Sequence, residues 1–262
     1  MAEERIGNGN YFSKENEMSY MSYSQFKDFL ECESMALAKA ERRYEKPRTK
    51  ALLQGSYIDA YFSGEMEEFT KENPDLFKKD GTLKSDYEIC NGVIEAIKAD
   101  KGLFNEFYNG EAQRVFVGEI AGVPYKGKID MLYPNKIVDM KAMASIDPLW
   151  DEREHRKKPF YSFYRYDIQA AIYQELVRQA IGERLPYYLA VATKEQLPRK
   201  EVYLFRQEVL DEALELVKRL SPRFQAIKRH EIEPNECGDC EWCRKNKEFT
   251  IFDIRTIEKE DM

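Results

Sequence analysis

Hydrophobic residues recur along the chain with two periods, one near 3.6 residues and one near 2. The helical period begins after Ser22 or Ser24, either of which is an expected N-cap, and continues to Ala40. Residues 1–18 are polar and predict a loose arm, whereas residues 63–82 predict a loop with short helical pieces. Further helices are predicted over about 50–62, 84–99, 161–181 and 208–229, the last interrupted near Pro222.

The alternating period predicts strands. Three of them, over 114–120, 123–132 and 136–141, are separated by the turns Ala121-Gly122 and Pro134-Asn135 and form an antiparallel meander. Two more strands are predicted over 187–193 and 201–206. This order predicts a mixed α/β (α+β) fold, in which helices flank a central mixed sheet. The expected division is a polar N-terminal arm, a single domain and a C-terminal tail, over 1–20, 21–248 and 249–262.

Composition narrows the class of protein. The 262 residues are 43% hydrophobic and 34% charged, which is typical of a soluble globular protein. The longest apolar run, Tyr187–Ala192, is too short to cross a membrane. The first residues lack a signal-peptide pattern, so a cytoplasmic location is expected. The net charge of −7 argues against a wholly basic binding surface but allows a local basic groove.

The chain offers few histidines for catalysis or metal binding. The chain has two histidines, no HExxH helix and no GxxxxGK[ST] loop. Chemistry must therefore be carried by carboxylates, by lysine or by metals that they hold.

The segment from Lys126 to Lys141 holds the strongest candidate. Asp139 and Lys141 are two apart on a strand, so they project from the same face, and a short turn brings Asp130 alongside. A divalent cation relieves the repulsion between crowded carboxylates, and a neighbouring lysine can offset charge on a phosphate. The alternative is a surface salt bridge, but Ile137 and Val138 predict that Asp139 lies on a buried central strand.

These residues resemble a known family. Gly-Lys-Ile-Asp130, eight residues, then Asp139-Met-Lys141 resembles the core of the PD-(D/E)XK nucleases, with a restriction-endonuclease-like fold, and in particular RecB/RecE-like exonucleases such as those of prophages. Three further segments match in order: Met21–Cys32 resembles the opening helix, Gly55–Asp59 the Gly-x-x-x-His helix, and Gln169–Tyr173 the Gln-x-x-x-Tyr helix.

The resemblance implies roles for single residues. Asp130 and Asp139 would bind Mg²⁺ or Mn²⁺, with the Met140 carbonyl as a further ligand, and Lys141 would be the catalytic lysine. Gln169 and Tyr173 lie on one helical face and would contact DNA or brace the site, although plain core packing is an equal alternative for Tyr173.

Two positions depart from the family pattern. Asp59 stands where the family usually has histidine; an aspartate is also a metal ligand, and the alternative is a helix-surface acid. Gln113 stands where the family tends to have glutamate, and Glu111 or Glu119, which share its strand parity, are expected substitutes.

Three cysteines near the C-terminus, Cys237, Cys240 and Cys243, form a C-x-x-C-x-x-C motif, for which a metal is the default interpretation in a cytosolic chain. Three thiolates are one short of a complete site. The resemblance implies Cys32 as the fourth ligand and a [4Fe–4S] cluster as the cofactor, with Zn²⁺ or no metal as alternatives. Cys90 is expected to be a core residue.

A basic and aromatic segment follows Lys141. Its cations suit contacts with phosphates, and its interleaved aromatic residues suit base stacking, although a solvated loop is an equal alternative. The predicted nucleic-acid contacts are Arg153, Arg156, Lys157, Lys158 and Arg165.

The sequence and the resemblance together predict a magnesium-dependent DNA exonuclease of phage or bacterial recombination. The alternatives are a RecB-like single-strand nuclease or endonuclease, and a catalytically silent DNA-binding module of the same fold. The expected partners are a duplex end or single strand of DNA, further copies of the chain in a ring, and a single-strand annealing recombinase, with no membrane.

Overall fold

Five strands form the central sheet. The structure, a computed structural model, describes residues 6–152 and 154–248. The sheet order is β1-β2-β3-β6-β7, in which β3 and β6 are parallel and every other neighbouring pair is antiparallel. The strands are β1 (Glu111–Ile120), β2 (Val123–Tyr133), β3 (Lys136–Met143), β6 (Tyr187–Thr193) and β7 (Lys200–Leu204). A separate hairpin consists of β4 (Leu149–Asp151) and β5 (Arg156–Lys158). The predicted mixed sheet with an antiparallel meander is confirmed.

Helices cover both faces of the sheet. On one face, α2, α9 and α10 enclose the larger apolar core, and on the other α4 and α6 enclose the second core. The helices are α1 (Lys14–Ser19), α2 (Tyr23–Glu31), α3 (Glu33–Ala40), α4 (Lys50–Ser63), α5 (Met66–Glu72), α6 (Ile89–Ala99), α7 (Lys101–Phe107), α8 (Phe160–Phe163), α9 (Tyr166–Ile181), α10 (Gln207–Lys228) and α11 (Glu241–Asn246). None of the helices within the described ranges is long and apolar enough to cross a membrane.

Local sequence explains several helix ends. Ser22 is the N-cap of α2, because its hydroxyl accepts a hydrogen bond from the Gln25 N–H. Gly64 ends α4 in the left-handed conformation, which glycine adopts without strain. Cys32 is extended, so it ends α2 and begins α3 where the sequence predicts one continuous helical period.

Three further predictions need correction. Within the described part of residues 1–18, the expected loose arm is wrong, because α1 forms there and Tyr11 is buried. Helix α10 continues through Pro222, which lies on the exposed side where water can hydrate the carbonyl group left without a helix N–H. The helix predicted over 161–181 is broken at Arg165, whose φ of 59° is left-handed.

Candidate active site and cysteine cluster

The carboxylate centre, which we define as Asp59, Asp130, Asp139 and Lys141, lies where β2 and β3 separate. β3 is the middle strand of the sheet, and the Asp139 side chain is 1% exposed. Asp139 therefore lies on a buried central strand, as the apolar residues before it predict. Its carboxylate forms an ion pair with Lys141, whose Nζ is also 3.9 Å from Asp130 Oδ2.

Asp130 replaces a backbone hydrogen bond between these strands. The β2–β3 pairing begins at the turn and ends with Met131 opposite Val138. Beyond that point, Asp130 Oδ2 accepts a hydrogen bond from the Met140 N–H at 2.9 Å. Asp130 lies inside β2, and the backbone pairing between β2 and β3 stops just before it.

The side-chain alternation of β1 and β2 also changes face here. Gln113 has a φ of 53° and lies between the register pairs Ala112–Met131 and Arg114–Ile129, where the pairing skips Gln113 and Asp130. On the Asp130 strand, Ile129 packs in the core beneath α9 whereas Met131 packs in the core beneath α4, although two residues apart should share a face. A left-handed residue inside a strand re-aims the neighbouring side chains. It turns Gln113, which is 4% exposed, into the site.

The prediction that Glu111 or Glu119 takes the place of the family's glutamate in the site is wrong. Glu111 and Glu119 are both exposed, and Glu111 forms an ion pair with Arg114 on the surface. Although they are an even number of residues from Gln113, their side chains do not share its face, because the alternation of side chains along β1 is broken at Gln113.

Gln113 connects the site to helix α4. Its Nε2 donates to Asp59 Oδ1 at 3.3 Å, while its buried Oε1 has no hydrogen-bond partner among the described residues. Asp59 is therefore part of the site and not a helix-surface acid.

Burial and mutual repulsion govern ionisation in the carboxylate centre. Burial and the nearby Asp130 charge raise the pKa of Asp59 to about 7. Burial also raises the pKa of Asp139 to about 8, against the lowering effect of Lys141. The pKa of Lys141 is raised above its ordinary value because the attraction of Asp139 and Asp130 outweighs the effect of burial. Crowded carboxylates and a charged lysine therefore coexist in this site.

Helix α9 supplies a direct support for Asp139. Gln169 is 6% exposed, and its Nε2 donates to Asp139 Oδ1 at 2.7 Å. Tyr173 follows one turn later and packs over Gly127, where an added Cβ would lie only 3.1 Å from the ring. The hydroxyl of Tyr173 has a pKa raised well above the ordinary value, chiefly by burial. The structure thus brings both residues of this predicted motif to the centre, and it shows core packing for Tyr173.

Sequence reasoning missed a tyrosine stack beside the centre. The ring of Tyr166 lies 5.4 Å from Lys141 Nζ and stacks on the ring of Tyr164, with centroids 5.7 Å apart. Lys27, on α2, lies 5.8 Å from the Tyr164 ring, and Tyr23 donates its hydroxyl hydrogen to the Tyr164 carbonyl at 3.0 Å. The spacing of Tyr166 and Gln169, three apart on one helix face, was the available signal.

The basic segment is largely neutralised by carboxylates. Lys158 pairs with Asp151 at 2.9 Å and also with Glu154, and Arg156 pairs with Glu154 at 2.6 Å. Arg165 pairs with Asp167 at 3.3 Å, Lys157 is exposed, and Arg153 lies outside the described residues. Of the aromatic residues expected to stack on bases, Phe160 is instead buried in the core.

The cysteine cluster consists of Cys32, Cys237, Cys240 and Cys243. Their four sulfur atoms all lie within 4.8 Å of one another. Cys32 Sγ is 3.5 Å and Cys237 Sγ is 3.9 Å from Cys243 Sγ. The structure therefore brings Cys32 to the three C-terminal cysteines. Cys90 is fully buried elsewhere, in the core with α4.

Backbone N–H groups point at two of these sulfur atoms, which accept hydrogen bonds from them. The N–H of Cys240 lies 3.3 Å from Cys237 Sγ, and the N–H of Cys243 lies 3.5 Å from Cys240 Sγ. Although burial acts in the opposite direction, backbone N–H groups of Cys240 and Asp239 lower the pKa of Cys237 to about 7. A thiolate, which is the form that binds metals, is thus accessible at neutral pH.

Polar contacts fasten the C-terminal turns to α3. Glu33 accepts hydrogen bonds from Arg223 through both carboxylate oxygens at 2.7 Å and from the Asn235 N–H at 2.8 Å. Trp242 Nε1 donates to Ser34 Oγ at 3.0 Å. The cysteine cluster therefore sits in a supported junction between distant parts of the chain.

Comparison with known proteins supports the same fold. Residues 22–246 match a family described as a PDDEXK-like domain of unknown function (DUF3799). The crystal structure of a protein named "Putative exonuclease" from Eubacterium rectale is similar, with a TM-score of 0.91 and 35% sequence identity over 99% of this chain and 100% of that chain. No curated protein matches the chain.

Proposed function

Because the chain belongs to the PDDEXK-like family DUF3799, we propose that it is a magnesium-dependent DNA exonuclease whose reaction occurs at the carboxylate centre. The observation that carries this proposal is the convergence of Asp130 and Asp139 on Lys141, on a buried strand braced by Gln169. The name of the similar Eubacterium rectale protein supports the exonuclease assignment.

The donor set fits a hard divalent cation. Asp130 and Asp139 offer carboxylate oxygens, Met140 offers its carbonyl, and the buried Gln113 Oε1 has no hydrogen-bond partner in the described chain. Oxygen ligands of this kind suit Mg²⁺ and Mn²⁺. Asp59 would act as a further ligand or through its hydrogen bond with Gln113. A cation bound there would polarise a phosphodiester and lower the pKa of a bound water.

The protein itself would contribute charge and orientation. Lys141 keeps its proton at neutral pH, so it can donate a hydrogen bond to the negative charge that builds on the phosphate in the transition state. Gln169 holds the Asp139 carboxylate in one orientation. Asp130 is held in the same way by the Met140 N–H. The aromatic and basic surroundings, including Tyr166, Tyr164 and Lys27, suit contact with a nucleic-acid strand.

The cellular role follows from the resemblance to RecB/RecE-like exonucleases. It implies recombination in a phage or bacterium, a ring of identical subunits and a single-strand annealing recombinase as partner. A catalytically silent DNA-binding module is the second candidate, favoured by the neutral Gln113 at a position where the family tends to have glutamate.

A cleavage assay distinguishes these functions. Linear duplex DNA, closed circular duplex and circular single strands are incubated with or without added Mg²⁺, with the Lys141→Ala variant as control. An exonuclease degrades only the linear duplex, only with Mg²⁺ and only with Lys141 present. Degradation of circles would indicate an endonuclease, and a completely inactive wild type would support the silent module.

The cysteine cluster is proposed to hold a single tetrahedral ion, most simply Zn²⁺. Sulfur atoms bound at about 2.3 Å to one tetrahedral ion are separated by about 3.8 Å, and the separations of 3.5 and 3.9 Å match this value. A [4Fe–4S] cluster, which the resemblance implies, places iron and sulfide between the thiolates and requires wider spacing. Metal analysis and the visible spectrum of anaerobically purified protein decide between the two, because only the cluster absorbs visible light.

A further inference from the structure

The β4–β5 hairpin is anchored beside the carboxylate centre. Leu149 packs in an apolar cluster with Met143, at the end of β3, and with Tyr164 and Tyr166 of the tyrosine stack. Tyr166 in turn lies against Lys141. Leu149 of the hairpin and Tyr166 beside Lys141 thus border the same apolar cluster.

Among the described residues of the hairpin, ion pairs involve Lys158 and Arg156 but not Lys157. Lys158 and Arg156 are neutralised by Asp151 and Glu154. Lys157 is exposed and forms no ion pair with any residue in the ranges 6–152 and 154–248. Because its charge is not offset locally, Lys157 can offer an ammonium group to a phosphate.

An exposed tryptophan lies directly opposite Lys157. Trp150 and Lys157 are partners in the β4–β5 register, so their side chains project from the same face of the hairpin. The Trp150 side chain is 50% exposed, whereas Leu149 and Lys158, the neighbouring pair, are turned inward and partly buried. Among the described residues, this outer face thus combines a large aromatic surface with the unpaired cation of Lys157.

We propose that Trp150 and Lys157 bind single-stranded DNA, with a base stacked on the indole and a neighbouring phosphate on the ammonium group. The face of a base is open to an indole only where the strand is unpaired or frayed, since duplex stacking hides it. This inference rests on the proposed function and narrows it, because it makes an unpaired end the preferred substrate.

Tryptophan fluorescence provides a direct test. The chain has two tryptophans, and Trp242 lies in the cysteine junction, so Trp150→Phe isolates the signal of the hairpin. Oligo-dT is titrated into the full chain without added Mg²⁺ and without chelator, so that cleavage is not supported and the cysteine cluster keeps its metal. We expect quenching in the wild type that is lost in Trp150→Phe, and affinity about tenfold weaker in Trp150→Ala, in the range measured for base–aromatic stacking.

The charge contribution is measured separately. Lys157→Gln is expected to weaken binding several-fold and to reduce the salt dependence by about one counterion. The matched control is Lys79→Gln, which alters another exposed lysine, in the loop before α6, and should leave binding unchanged. Thermal melting verifies that each variant folds.

Three outcomes would overturn the inference: unquenched fluorescence, unchanged affinity in Trp150→Ala, or equally tight Trp150-dependent binding of a duplex with closed hairpin ends. The binding measurements test this inference separately from the cleavage activity. Trp150-dependent binding without any cleavage in Mg²⁺ would refute the nuclease proposal alone, whereas cleavage with Trp150-independent binding would refute this inference alone.

Discussion

The carboxylate centre and the cysteine cluster are assembled from opposite kinds of sequence. Asp130 and Asp139 are nine residues apart on adjacent strands, whereas Cys32 is brought to Cys237 across most of the chain. Asp139 is buried within the sheet, whereas the cysteine cluster lies at a junction where Cys237 is exposed. The carboxylate centre is therefore a crowded set of charges at the central sheet, whereas the cysteine cluster joins distant parts of the chain.

Helix α2 belongs to both sites. Its first turn and the next carry Tyr23 and Lys27 to the tyrosine stack beside Lys141, and its C-cap is Cys32. Loss of the metal proposed for the cysteine cluster is therefore expected to affect the surroundings of the carboxylate centre through this helix. Substitutions at the two sites should have opposite effects on stability.

The largest expected effect is on catalysis at the carboxylate centre. Asp139→Asn and Asp130→Asn should each lower cleavage by more than about 100-fold, beyond the range typical of residues that only support a ligand. Each also removes one charge from a crowded set, so the melting temperature without added divalent metal should stay the same or rise. Cleavage rates and thermal melting at pH 8 measure both. Wild-type activity in either variant would refute the site assignment.

Substitutions in the cysteine cluster should lower the melting temperature instead. Cys32→Ser, Cys240→Ser and Cys243→Ser should each lose the metal and several kcal/mol of stability, which lowers the melting temperature by about 10 °C. Cys90→Ser is the matched control and should keep the metal. Metal analysis together with calorimetry checks the prediction, and a Cys32→Ser protein with full metal content would exclude the four-cysteine site.

Asp59 is expected to contribute to metal binding in the carboxylate centre. Since it contacts Gln113 and the field of Asp130 raises its pKa, Asp59→Ala should raise the metal concentration for half-maximal cleavage by about tenfold. The rate at saturating metal should change much less. Rates measured against Mg²⁺ concentration for both proteins would superimpose if Asp59 had no role in holding metal.

Lys228 is a buried lysine outside both sites, and its effect is on stability alone. Its Nζ donates to the Tyr20 carbonyl and to Gln25 Oε1, and burial lowers its pKa from 10.5 to about 7. Between pH 7 and 10.5 the unfolded chain therefore binds more protons, so stability rises with pH, by at most about 1.4 kcal/mol per pH unit. Denaturation from pH 7 to 9 should show this rise relative to Lys228→Met, and parallel curves would contradict it.

Sequence patterns predicted the parts of the molecule that depend on regular alternation. The β1–β3 meander and the shared face of Asp139 and Lys141 follow from a period of two. The change of face at Gln113 could not be predicted, because nothing in a glutamine signals a left-handed φ. The β4–β5 hairpin was missed because strands of three residues, mostly charged, have no measurable period.

The cysteine cluster shows the other limit of sequence reasoning. The C-x-x-C-x-x-C motif indicated a metal from local spacing alone, but only the resemblance to a family pointed to Cys32. Long-range closure depends on the packing of α3 and α10 against the C-terminal turns, through contacts such as Arg223 with Glu33. Such contacts leave no periodic trace in the sequence.

A titration of divalent metal tests the central claim most directly. Binding of Mn²⁺ to the wild type and to an Asp130→Asn, Asp139→Asn double variant is measured by calorimetry without DNA, while the metal content of the cysteine cluster is monitored. We predict that the wild type binds Mn²⁺, that the double variant does not, and that the cysteine cluster stays loaded in both. Equal Mn²⁺ binding by the two proteins would contradict the assignment of Asp130 and Asp139 as the metal site.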